Sequence, residues 1–398
     1  MQKSRKIKDT ILNVLTYLSS SISILILGAI IIFVVTKGWN NLSFKMLTSD
    51  YYETPFFASC EGSTSYSFDH IDEDGIYYSK NFGIGLKDSF DLEKNAVVEI
   101  VFIDNLSPVK NIKASDGKAL EVSVGEIIRR VQVKNDNQTF VSTTKDKAEG
   151  IRNALDSGYE ISEFYYLKMG GGIRGSLLST IYLILLTLVI VLPIGIIASI
   201  YLSLYAKNNI VTKTLRSLID MISGIPSIIF GLISIVVFIP FVNSMTKSSG
   251  GSIVSGALTL AVMLLPIVIR TTEEAINNIP KSYKSASLAL GASETQTTFK
   301  VILPNAIPGI LTSCILCIGR IIGESAALIF AIGTSIQDDV NITKGSTTLA
   351  VHIWSVMSGE NPNYGQACAI SVIILLLVLV LNLAVKLISK KLNRFEVK

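Results

Sequence analysis

Apolar residues in this chain come in long blocks, with polar residues gathered between them. Charge-free runs cover 10–36, 175–206, 221–246, 248–269, 301–319 and 361–385. Each is near or above the roughly 18–20 residues that carry a helix across a bilayer core. Core helices of soluble proteins seldom stay free of charge for so long. In lipid the backbone must satisfy its own hydrogen bonds, so the runs read as helices. The pattern predicts an all-α polytopic membrane protein with about six transmembrane helices. The fifth apolar pattern continues to Gly333, with Arg320 and Glu324 inside it. The third run contains Gly224, Pro226 and Pro240, which predicts a bent or broken helix.

Between the first and second runs the pattern changes. Residues 37–172 are polar and rich in turn residues. Ala96–Ile103 reads as a more buried strand, and Leu120, Val122 and Val124 alternate with polar neighbours as a half-buried one. Further strands are expected at 127–133 and 139–141. Helical spacing at Ile151 and Leu155 predicts a helix over 145–157. The expectation is an extracytoplasmic α/β insert with a modest core of its own. The chain then divides into 1–36 (cytoplasmic N-terminus and first helix), 37–172 (insert) and 173–398 (five helices with a loop at 271–304). The stretch 83–86 with Ser107-Pro108 loosely resembles a PDZ-type domain. The acidic run Asp69 to Asp74 reads as a solvated loop rather than a cation site.

Charge sets the orientation. Only 17% of residues are charged and the mean hydropathy is +0.51. The net charge of +4 hides an asymmetry, because residues 37–172 hold 21 acidic against 15 basic residues. The basic excess flanks the apolar runs: Lys3, Arg5, Lys6 and Lys8 at the start, Lys207, Lys213 and Arg216 after the second run, Arg270, Lys281, Lys284 and Lys300 after the fourth, and Lys390, Lys391 and Arg394 at the end. The positive-inside rule puts both termini in the cytoplasm and argues for a multi-pass cell membrane protein, not a nucleic-acid binder. The first run is too long for a signal peptide and lacks a small-residue cleavage site, so it reads as a retained helix with Trp39 at the outer interface. Cys314 and Cys317 form a C-x-x-C with no second pair and no nearby His. They read as packing residues.

Candidate chemistry concentrates in two places. The loop 270–304 is long for a connection. It offers a helix over 281–290, a stop at Gly291, and a second short helix capped by Ser293 with Gln296. Such a unit suits docking into a groove of a soluble partner. In the fifth run, Arg320 and Glu324 are four apart and would share a helix face. Charges inside a membrane cost about 2.5–3.5 kcal/mol, so they mark an ion path or a structural pair. Arg320, Glu324 and Ser325 are the candidate pathway residues, with Thr312 and Ser313 as further hydroxyls. Asp220 reads as interfacial and His352 as a surface histidine. No G-x-x-x-x-G-K-[ST] phosphate loop is present, so any ATP and Mg would be handled by a partner, and no cofactor is expected on this chain.

The loop also carries a resemblance. Its sequence resembles the EAA loop of ABC-importer permeases, E-A-A-x3-G-x9-I-x-L-P. Ala286, Gly291, Val301, Leu303 and Pro304 fall on the pattern, while Ser285 and Ser287 replace its Glu and second Ala. The resemblance implies the type I permease fold and an ATPase cleft that grips this loop. It extends to the phosphate branch, PstA-like, through Gly224-Ile225-Pro226-Ser227, Phe230-Gly231-Leu232, Leu265-Pro266, Arg270 to Glu274, Gly319 to Ala327 and Thr348 to His352. It therefore implies half of a phosphate channel, a second permease subunit (PstC-like), an ATPase dimer (PstB-like) and an extracytoplasmic phosphate-binding protein (PstS-like). Sulfate or molybdate as cargo, or a membrane-anchored sensor built on the insert, are the alternatives.

Overall fold

The computed structural model describes residues 2–61, 66–69, 75–90, 95–114, 117–135, 138–168, 170–358 and 362–393. The acidic loop read at 70–74 lies outside them. The principal helices are α1 (Gln2–Gly38), α2 (Lys147–Asp156), α3 (Arg174–Tyr205), α4 (Ile210–Ser223), α5 (Ser227–Thr246), α6 (Ile253–Asn277), α7 (Lys281–Ala289), α8 (Glu294–Gly323), α9 (Ala326–Ala331), α10 (Leu349–Met357) and α11 (Tyr364–Asn393). Two compact units result: Met1–Phe44 with Ile173–Lys398, and Lys45–Gly172.

In the first unit, α1, α3, α5, α6, α8 and α11 are long and apolar enough to cross a membrane. Each holds an 18-residue stretch of mean hydropathy 2.0 to 3.0 with at most two charged residues, as a helix in lipid requires. α6 is the central one. Its Leu260, Leu264 and Val268 are fully buried, and it packs against α3 and α8. A capping box starts it: Ser252 Oγ accepts from Ser255 N at 3.2 Å and Ser255 Oγ from Ser252 N at 2.9 Å. At the other extreme, α1 exposes Leu, Ile and Phe side chains that suit lipid. It meets α11 at Gly38, where an added Cβ would sit 2.8 Å from Ala369 N.

Proline explains the segmentation of the third run. Gly224-Ile225-Pro226 interrupts it completely, so α4 ends at Ser223 and α5 begins at Ser227. Pro226 has no N–H for a preceding turn and pushes Ile225 away from helical geometry. π-helical turns sit within α3, α5 and α8 at Tyr201–Tyr205, Ser234–Phe238 and Thr298–Ile302.

Among the described residues the second unit is an eight-stranded antiparallel sheet backed by the helix α2. The strands are β1 (Thr54–Glu61), β2 (Ile76–Tyr78), β3 (Ile84–Phe90), β4 (Ala96–Ile103), β5 (Lys113–Ala114), β6 (Ile127–Asn135), β7 (Gln138–Thr143) and β8 (Glu160–Lys168). Their order is β2-β3-β4-β6-β8-β1-β5, with β7 also on β6. Alternate residues of the central strands, among them Val98, Ile100, Ile128, Val131, Phe164 and Tyr166, face one core. α2 covers that core with Ala148, Ile151 and Leu155. Carboxylates fix its ends: Asp88 Oδ1 accepts from Ala148 N (2.8 Å), and Asp156 Oδ1 accepts from Ser79 Oγ (2.8 Å) and Lys80 N (2.9 Å). The strand expected at 120–124 is absent. Gly125, at φ +91°, turns the chain there, and Leu120 and Val122 reach the core from a loop.

His352 also departs from expectation. It lies buried in α10, with Nδ1 2.8 Å from Ser176 Oγ. The neighbouring polar run packs the same way: Ser176 Oγ is 3.0 Å from Thr347 Oγ1, and Ser179 Oγ is 2.6 Å from Ser346 Oγ. Pairing of this kind removes the cost of burying hydroxyls, so a polar loop sequence folds inward.

Candidate functional site

Arg320 and Glu324 were expected on one helix face. The structure corrects this, because α8 stops at Gly323 and Glu324 is extended (φ −81°, ψ 124°). The two groups form no ion pair with each other. Glu324 is 8% exposed, and its Oε1 accepts from Ala327 N at 3.3 Å, in the first turn of α9.

This break opens a cavity of about 490 Å³, lined by Ser227, Gly319, Arg320, Gly323, Glu324, Ser325 and Ala326. The three candidate pathway residues therefore meet in one place. Gly319 and Gly323 leave it roomy, since a Cβ added at either would have nothing within 4 Å. Its far edge comes from the start of α5, held close to α9 through Gly231; a Cβ there would lie 2.8 Å from Ala327 O. The cavity thus combines a guanidinium, a carboxylate and two hydroxyls between the spanning helices α5 and α8 and the short α9. That combination suits a hydrogen-bonding anion. Thr312 and Ser313 do not join them. Their hydroxyls bond Pro308 O (3.0 Å) and Ile310 O (2.7 Å) on their own helix.

The loop after α6 forms a protruding hook. None of α7 is buried, and Leu290 at its end is 89% exposed. Gly291 has φ +85° and closes a Schellman turn, with Gly291 N bonding Leu288 O (3.0 Å) and Ala292 N bonding Ser287 O (3.2 Å). Ser293 and Gln296 form the expected capping box at 3.2 and 3.0 Å. The second helix is not separate, however. It continues through the π turn into α8, because Pro304 falls in the first turn of the following α-helical stretch, where proline is tolerated. Val301, Leu303 and Pro304 therefore form the base of the hook, and Ala286 and Gly291 its tip.

Two ion pairs missed from the sequence join α4 to the end of α6. Arg216 Nη2 lies 3.2 Å from Glu273 Oε1, and Arg270 Nε donates to Asp220 Oδ1 at 2.7 Å. Glu273 is buried, and Asp220 is thus a partner rather than a lone interfacial charge. Arg at i with Asp at i+4 on α4, facing Arg and Glu three apart on α6, was the available signal.

Six candidate spans among the described residues, a polar cavity at a helix break and an exposed hook fit a membrane transport component. The chain belongs to the family described as binding-protein-dependent transport system inner membrane component, which it matches over residues 191–394. It is a multi-pass inner membrane protein and the permease subunit of an ABC importer, whose ATPase is a separate subunit. It is 38% identical to the probable ABC transporter permease protein YqgI of Bacillus subtilis, over 57% of this chain and 82% of that one. It is 34% identical to the phosphate transport system permease protein PstA of Yersinia pestis, over 56% and 74%. A PstA homolog of Mycoplasma pneumoniae is 33% identical over 47% of this chain but only 29% of its own length. A chain of the MetNI methionine ABC transporter, solved in an inward-facing conformation, covers 56% of this chain and 94% of its own at 23% identity and a TM-score of 0.43.

Proposed function

We propose that this permease carries inorganic phosphate, with the cavity around Arg320 on the cargo's route. The observation that carries the reading is Arg320 itself: a guanidinium on a spanning helix, exposed in the chain, with no carboxylate paired to it among the described residues. Lipid is a poor neighbour for such a charge. A planar fork of donors matches the oxygens of phosphate. Glu324 supplies an acceptor for the proton that phosphate keeps near neutral pH and sulfate lacks. The phosphate permeases among the relatives support the same cargo.

The hook, Ala286 to Pro304, is the part of the chain suited to the ATPase cleft. Its exposed Leu290 and rigid Gly291 turn offer an apolar, preorganised contact. In this reading a PstB-like ATPase dimer uses ATP and Mg, and this chain binds neither. A PstC-like subunit completes the pathway, and a PstS-like protein delivers phosphate outside. Both termini and the hook face the cytoplasm, and Lys45–Gly172 lies on the outer side.

The test is uptake into vesicles holding all four components. ATP-dependent accumulation of phosphate, with sulfate and molybdate left outside, is expected. Uptake of sulfate or molybdate in place of phosphate would reassign the cargo.

A further inference from the structure

We propose that Ser227 is a direct contact for the cargo, an inference that rests on the cavity being its route. Ser227 is 93 residues from Arg320 in sequence and on a different span, yet both line the same cavity. The state of its hydroxyl is informative. Hydroxyls within these helices commonly bond a carbonyl of the preceding turn: Thr180 to Ser176 O (2.7 Å), Ser199 to Gly195 O (2.7 Å), Thr259 to Ser255 O (2.7 Å) and Ser371 to Ala367 O (2.8 Å). Ser227 has no preceding turn, because Pro226 and the break come before it. Among the described residues its hydroxyl has no hydrogen-bond partner, and the hydroxyl of Ser325, the N-cap of α9, has none either.

The backbone adds to this. The first N–H groups of a helix have no intrahelical acceptor and carry the positive end of its dipole. In α5 Ile229 N bonds Pro226 O (3.0 Å), and the Ser227 and Ile228 N–H groups head a 20-residue span whose start borders a cavity that already holds a guanidinium. An oxyanion in the cavity would meet Arg320 from α8 and Ser227 from α5. The contact bridges two spans, which makes it sensitive to any movement of one against the other.

The experiment uses the complete complex in vesicles, with labelled inorganic phosphate at saturating binding protein. Ser227→Ala is expected to lower the maximal uptake rate about tenfold, the scale of a lost hydrogen bond to a charged group. The complex should still assemble and hydrolyse ATP. Ser227→Thr, which keeps the hydroxyl, is expected to stay within about twofold of the unaltered protein. Equal loss in Ser227→Ala and Ser227→Thr would show a packing role and overturn the inference. So would unchanged uptake in Ser227→Ala alongside loss in Arg320→Ala, which leaves the cavity reading standing. An unaltered complex that moves no phosphate would instead remove the reading on which both residues rest.

Discussion

Arg320 shows how far a single residue can be read. A guanidinium inside an apolar run is conspicuous, and the structure puts it in a cavity with Glu324 and Ser325. If it binds phosphate through its fork, Arg320→Lys keeps the charge but loses the paired donors. Uptake is then expected to fall at least tenfold with assembly intact, and near-normal uptake in that variant would reduce the role to charge alone. Ser227 stood in the sequence only as the end of the Gly224-Ile225-Pro226-Ser227 motif and not as a site residue, because nothing in an apolar run ties a serine to a distant arginine until the fold brings them together. The shared helix face of Arg320 and Glu324 was wrongly expected, since the spacing rule holds only while a helix continues, and this one stops at Gly323. Glu126, in the sheet unit, was not singled out either. It is 1% exposed, and burial raises its pKa, with Oε2 lacking a partner among the described residues. A carboxyl whose folded pKa lies above its unfolded value holds its proton more tightly when folded. Its contribution to stability is full below the ordinary glutamate range and is lost as pH rises through the folded value. Protection of β6 amides, corrected for intrinsic exchange, is therefore expected to fall on going from acidic to neutral pH. Glu126→Gln is expected to flatten that dependence and add about 1 kcal/mol near neutrality.

Among elements, the hook was the most legible. Gly291 as a left-handed stop and the Ser293–Gln296 box follow from local chemistry, and both are present. The joining of its second helix to α8 was hidden by Pro304, which reads as a terminator and serves as a first-turn residue. Gly291→Asp forces a side chain into φ +85°, at a cost of about 1–2 kcal/mol, and puts a charge at the exposed tip. Loss of co-purifying ATPase with the spans still folded is the expected result; full retention of the ATPase would place the docking site elsewhere. The strand expected at 120–124 failed for a different reason. Alternation marks which side chains turn inward, and a loop that tucks Leu120 and Val122 under a sheet alternates just as a strand does.

At the scale of the whole molecule, apolar blocks gave the six spans because lipid imposes one requirement along the full length of each helix. The family match covers 191–394 and leaves Lys45–Gly172 outside it, so that unit's sheet order and its role had no comparable signal. Under the proposed function one chain carries both a hook that would take up motion from an ATPase and a cavity through which that motion would move an anion. Both features are put to the test at once by measuring ATP hydrolysis and phosphate uptake together, in vesicles carrying the complete complex with Arg320→Ala. Continued hydrolysis with uptake lost is the predicted result. Phosphate uptake at the unaltered rate would contradict it.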